Sequence, residues 1–223
     1  MTIPGGKMSA RPLHFFWVLD CSGSMFGERV GALNNAIRES LPHIIKVADE
    51  NPGIQVFVRA LKFGNSPEWV IKDPVKIEDF FWDDLKIKIG EMTNLGLGIS
   101  LLIEALDTVP ERALPSVIVL VCDGQITDDY KKPLSLLNTH INGKNATKAS
   151  IAIGKDTDTE ALQDFIGKDS PIKPVQANNP QDLVEYIKVV STRAVQVSSQ
   201  IAKDKNFKKI SPVIEQNNDD DWV

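Results

Sequence analysis

The stretch His14-Phe15-Phe16-Trp17-Val18-Leu19-Asp20-Cys21-Ser22-Gly23-Ser24-Met25 decides how this chain folds and where its chemistry lies. From His14 to Leu19 both alternating faces carry apolar or aromatic side chains, the pattern of a strand covered by helices on both sides. The run stops at Asp20 and enters a Ser/Gly turn, so polar side chains collect at the carboxyl end of a buried strand. Residues 116–122 repeat the arrangement: a second strand, apolar on both faces, is closed by Asp123-Gly124.

Around these runs the chain has the composition of an ordinary globular protein, 42% hydrophobic and 25% charged. Its 223 residues suit one α/β domain with a tail. With 25 Lys+Arg against 30 Asp+Glu the net charge is −5, which argues against a protein built to coat nucleic acid or an anionic membrane. Two cysteines cannot make a disulfide framework. No apolar run approaches the ~18 residues of a membrane span, and no early stretch has the build of a signal peptide. These features predict a cytoplasmic protein with neither nucleic-acid nor membrane partner. Residues 1–10 read as a flexible lead-in and 11–200 as the domain. Residues 201–223 read as a tail, basic at Lys203, Lys205, Lys208 and Lys209, then acidic at Asp219-Asp220-Asp221. Its scattered apolar residues would dock it on this domain or on a partner.

Between the two strands, Val30, Leu33, Ile37, Leu41, Ile44 and Ile45 fall at helical spacing. Pro42 predicts a kink or restart, with Ser40 as a cap. Residues 54–63 and 68–71 read as a hairpin around Gly64-Asn65-Ser66-Pro67, and Pro74 marks its outer strand as a sheet edge. Phe80, Phe81 and Trp82 would seal the core, where Trp17, Phe81 and Trp82 are expected. A loop over 91–96 leads to a helix at 97–106. Helices at 130–138, 158–166 and 181–197 alternate with strands at 148–153 and 172–176. This alternation predicts a doubly wound, Rossmann-like α/β fold: a mainly parallel central sheet, one antiparallel edge strand, and helices on both faces.

In such a sheet, ligands bind outside the carboxyl ends of the strands where the strand order reverses. Asp20, Ser22, Ser24 and Asp123 belong to two such ends, and Thr93 lies in a loop before a helix. Together they offer five oxygen donors, the set a hard divalent cation such as Mg²⁺ prefers. Hydroxyl donors are neutral, so they hold an ion without quenching its charge and leave it able to attract an anionic group. Gly23 allows the tight turn between the serines. The competing reading is local: Asp20, Ser22 and Ser24 capping their own turn, Thr93 capping the next helix, and Asp123-Gly124 a plain turn.

Asp-x-Ser-x-Ser after a first buried strand, a distant loop threonine, and Asp-Gly after a later buried strand resemble the von Willebrand factor A domain with its metal-ion-dependent adhesion site. The resemblance spans about 11–200. It implies metal ligation by Asp20, Ser22, Ser24, Thr93 and Asp123, with Mg²⁺, Mn²⁺ or Ca²⁺ as cofactor and a partner's Asp or Glu completing the shell. Leu19 to Met25, Asn34-Asn35, residues 123–128 and Ile151-Ala152-Ile153-Gly154 look like the bacterial tellurium-resistance TerY-type group. That group is often encoded beside a serine/threonine kinase and a metal-dependent phosphatase, which makes such proteins the implied partners and stress-response signalling the implied setting. The sequence departs from the family pattern at Cys21 and Cys122, and its Thr93 loop lacks a Gly-Gly pair.

The remaining polar residues read as structural. Asp128 and Asp129 suit caps for the helix near Tyr130, and Asp156, Asp158 and Glu160 suit another helix start. Cys21 and Cys122 read as small buried cysteines, with a redox pair as the alternative. His14, His43 and His140 have no metal-ligand spacing. There is no His-Glu-x-x-His, Gly-x-Ser-x-Gly or Walker loop. The expected function is therefore a non-enzymatic, metal-dependent protein-interaction module. The alternative is a Mg²⁺-dependent phosphohydrolase or nucleotide-binding enzyme using the same residues, with Asp20 or Asp123 positioning water.

Overall fold

The two doubly apolar runs lie side by side at the centre of a six-stranded sheet. The computed structural model describes residues 10–87, 92–154, 157–168, 170 and 173–201, so the lead-in and the tail expected from the sequence fall almost wholly outside the described residues. In chain order the elements are β1 (Arg11–Asp20), α1 (Glu28–Asp49), β2 (Ile54–Phe63), β3 (Glu68–Lys76), α2 (Leu95–Leu106), β4 (Val117–Cys122), α3 (Lys131–Thr139), α4 (Ile141–Lys144), β5 (Thr147–Ile153), α5 (Thr159–Ile166), β6 (Val175–Ala177) and α6 (Pro180–Ile201). The sheet order is β3-β2-β1-β4-β5-β6, parallel throughout except for the antiparallel β2–β3 pair. The chain steps outward from β1 through β2 to β3, then returns across β1 to β4 and steps outward on the other side. The order therefore reverses between β1 and β4, as the doubly wound reading requires.

Alternation along β1 feeds two cores. Leu13, Phe15, Trp17 and Leu19 pack with Leu33, Ile37 and Ile44 of α1 and Leu183 and Ile187 of α6. Phe16 and Val18 pack on the opposite face with Ile99 and Leu102 of α2, Leu134 of α3 and Phe165 of α5. Phe15 and Trp17 meet edge to face at 4.8 Å, a geometry worth about 1 kcal/mol beyond the area it buries.

Several boundaries differ from the sequence reading. Helix α1 runs unbroken through Pro42. Pro42 lies on the exposed side, where the carbonyl left without an N–H partner one turn back can turn to water. Ser40 is buried and donates to the Ile37 carbonyl at 2.7 Å, so it is an interior helical residue and not a cap. Strand β3 continues past Ile71 through Pro74, which the outer edge tolerates because no neighbour needs its missing N–H. Phe81 is 76% exposed, contrary to its core assignment, while Phe80 and Trp82 are buried. The backbone there is extended, so neighbouring side chains point to opposite sides. Asn34, buried in α1, holds this segment: its Oδ1 accepts from Trp82 Nε1 at 3.1 Å and the Leu85 N–H at 2.8 Å.

Candidate metal site at the carboxyl ends of β1 and β4

Asp20 closes β1 with no exposed surface. Its Oδ1 accepts the Ser22 N–H at 2.7 Å, and its Oδ2 accepts the Cys122 thiol at 2.9 Å and the Asp123 N–H at 3.4 Å. The chain then makes one 3-10 turn, Gly23–Met25. That turn sets the Ser22 and Ser24 hydroxyls 3.0 Å apart. Ser24 Oγ donates to Asp123 Oδ1 at 2.9 Å, and Ser22 Oγ reaches the same oxygen at 3.5 Å. Neighbouring strands thus carry Asp20 and Asp123 into one cluster bridged by the serines.

Thr93 arrives from the loop before α2. Its N–H donates to Thr127 Oγ1 at 3.0 Å, and its carbonyl accepts the Thr127 N–H at 3.0 Å, which fastens the loop to the segment after β4. A Cβ on Gly124 would stand 3.2 Å from Thr93 Oγ1 and 3.5 Å from Ser24 Oγ. The bare glycine therefore leaves a cradle into which both hydroxyls face. All five residues expected from the sequence converge here. Thr93 does not cap α2; Asn94 holds the capping position without a side-chain bond. The cap comes from Asp128, whose carboxylate accepts the Gly96 and Leu97 N–H groups, each at 3.0 Å. Asp128 was expected to cap the helix after Tyr130, and only Asp129 does so, accepting the Lys131 N–H at 3.2 Å. Asp158 caps α5 as expected through the Ala161 N–H at 3.1 Å.

Burial, and next the charge of Asp123, raise the Asp20 carboxyl to about 6, against hydrogen bonds from Cys122 and Ser22 that favour its ionised form. Burial, with the adjoining Asp20 charge, pushes the Cys122 thiol well up. Cys21 and Cys122 are both free, and they belong to opposite faces of the sheet. Asp123 Oδ2 is bound by Arg29 Nη1 at 2.6 Å; the aspartate side chain is wholly buried and that of Arg29 is 29% exposed.

These residues fit a hard divalent cation. Two adjacent buried carboxylates carry negative charge, two serine hydroxyls contact one of them, the Thr93 hydroxyl lies beside Gly124, and the soft donor Cys122 is turned to Asp20 as a protonated thiol. Among the described residues no group of three or more His, Cys, Asp or Glu is gathered to hold a metal. The carboxylate count here stops at two, which leaves part of any coordination shell to hydroxyls, water or another molecule.

Sequence reasoning missed Arg29, Thr127 and the role of Asp128. Arg29 carried a usable signal, since a cation in the first turn of a helix opposes the macrodipole and implies a nearby anion.

The fold is that of a von Willebrand factor A domain. Solved structures that share it include VWA2, the ArnB paralog of Sulfolobus acidocaldarius, at 22% identity and a TM-score of 0.54, covering 81% of this chain and 45% of that one. A von Willebrand factor type A protein of Catenulispora acidiphila matches at 17% identity and 0.59, covering 83% and 43%. The pilus adhesin SpaC of Lactobacillus rhamnosus GG matches at 13% and 0.63, covering 83% and 31%. The chain thus spans less than half the length of each. No family model matches the sequence, and no curated protein matches it.

Proposed function

We propose that this chain is a non-enzymatic, metal-ion-dependent protein-interaction module that binds an acidic residue of a partner protein. The observation that carries this reading is the make-up of the site: two buried carboxylates and three hydroxyls at the open end of the sheet, flanked in sequence by exposed apolar residues. Phe26, Met92 and Leu97 are 55%, 50% and 46% exposed, and each lies within four residues of a proposed ligand. A polar centre within an apolar margin suits a protein contact better than a small-molecule pocket.

Asp20, Ser22, Ser24, Thr93 and Asp123 would hold Mg²⁺ or Mn²⁺, with Ca²⁺ a third choice. When bound, the ion supplies an electropositive centre for a partner's Asp or Glu. The chain's own contribution is positional: Cys122 and the Ser22 N–H orient Asp20, Thr127 fixes the Thr93 loop, and Gly124 leaves room for the hydroxyls. Beside Cys21, Lys62 and Lys86 a cleft of about 370 Å³ gives space for neighbouring side chains of the partner. No helix of the described residues is long and apolar enough to cross a membrane. The motif resemblance to the TerY-type group supports a bacterial stress-response or kinase/phosphatase assembly as the setting, with the kinase or the phosphatase as partner.

The test is a pull-down from host lysate in Mg²⁺ and in chelator, comparing the native chain with Ser22→Ala, alongside Mn²⁺ titration of both. Partners and metal retained only by the native chain in Mg²⁺ support the reading. Identical capture in all conditions overturns it, and metal-dependent phosphate release lost in Asp20→Asn would favour the enzymatic alternative.

A further inference from the structure

We infer that Arg29 is the resident cation of this site: it holds Asp123 Oδ2 when no metal is bound, competes with a divalent ion for the charge of that carboxylate, and so sets the affinity of the site for metal. The inference rests on the metal-site reading above and concerns its regulation.

Three observations carry it. Asp123 has no exposed side-chain surface, and a buried carboxylate requires a compensating cation or several donors. Its two oxygens are divided between sources: Oδ1 takes Ser24, with Ser22 at longer range, and Oδ2 takes Arg29 at 2.6 Å. Among the described residues, Arg29 is thus the cation paired with Asp123, whose carboxylate adjoins that of Asp20. Second, Arg29 stands in the first turn of α1, where the helix macrodipole disfavours a cation, so its placement is accounted for by Asp123 and not by the helix. Third, the end of β5 makes room for it. Gly154 has φ +80°, and a Cβ there would lie 3.2 Å from Arg29 Nη2. A side chain at 154 would crowd the guanidinium, and few residues other than glycine adopt that backbone.

A guanidinium and a divalent ion carry like charge and seek the same carboxylate. The 29% exposure of Arg29 gives it a way out, because a long flexible side chain at the rim can swing into water.

The experiment measures Mn²⁺ affinity by calorimetry, and melting in chelator and in Mn²⁺, for the native chain, Arg29→Gln and Arg29→Lys. A charge within 4–6 Å shifts an ionic equilibrium by roughly one to three decades, so Arg29→Gln should bind Mn²⁺ about tenfold or more tightly while melting lower in chelator. Arg29→Lys, which keeps the charge, should stay near the native affinity. Binding by Arg29→Gln alone would also support the inference. Should Arg29→Gln fail to fold in chelator, recovery of its fold by Mn²⁺ supports the inference and failure to recover overturns it. Equal affinity in the native chain and Arg29→Gln overturns the inference and leaves the metal site standing. Absence of Mn²⁺ binding by both at millimolar concentration overturns the metal site and the inference together.

Discussion

His14 and Cys122 show how single buried groups govern the response of this protein to its solution. His14 is 4% exposed, lies between the rings of Phe16 and Phe57, and finds no hydrogen-bond partner for either ring nitrogen. Burial, then the positive charge of Arg59, lowers its pKa to about 4. Between pH 6.5 and 4 the unfolded chain binds a proton that the native histidine refuses, so stability falls as pH falls through that window, by ~2–3 kcal/mol for this group. Asp20 acts oppositely, since its raised pKa keeps a proton on the native state between about pH 4 and 6 and costs stability as pH rises. The pH dependence of stability in His14→Phe, subtracted from that of the native chain, should isolate the histidine. An unchanged acid limb would count against this account. For Cys122, burial and the Asp20 charge keep the thiol protonated, and thiolate is the reactive form. Ellman's reagent should titrate neither cysteine in the native chain and both after denaturation. Because the two lie on opposite faces of the sheet, oxidation should not yield an intrachain disulfide.

At the level of elements, α2 depends on a residue outside it. Asp128 accepts two N–H groups of its first turn, and a Cβ at Gly96 would sit 2.7 Å from the Asp129 carbonyl, so the helix start and the 128–130 segment are in close contact. Thr93 is held by the same region through Thr127. Asp128→Ala should therefore lower stability by about 1–2 kcal/mol, roughly 3–6 °C in Tm, while Asp128→Asn should recover part of it. Calorimetric melting distinguishes the two, and an Asp128→Ala chain with native Tm would contradict the capping role. Helix positions were legible because the 3.6-residue period of apolar side chains is local. Helix continuity through Pro42 was not, because it depends on which side of α1 faces water.

For the molecule as a whole, the reversal of strand order between β1 and β4 is what brings Asp20 and Asp123 together, and a bound ion would tie the strand ends into one unit. A ligand that binds only the native state adds about 2.7 kcal/mol at a hundredfold excess over its Kd, which for a chain of this size is roughly 5–10 °C in Tm. Mn²⁺ or Mg²⁺ should give that rise in the native chain and lose it with Ser22→Ala; a melt indifferent to metal and chelator would argue against ion binding. The sequence by itself determined the two buried strands, the α/β alternation and the polar residues at the two strand ends, because each is written in short-range pattern: apolar runs, turn residues, Asp and Ser at a strand end. Only the tertiary structure decided that Thr93 and Ser24 would both lie beside Gly124, that Asp128 would cap α2, and that Arg29 would take the second oxygen of Asp123. Those contacts join residues from 31 to 100 positions apart in the chain, and which side chains meet over such distances is set by how the sheet is ordered and its helices packed.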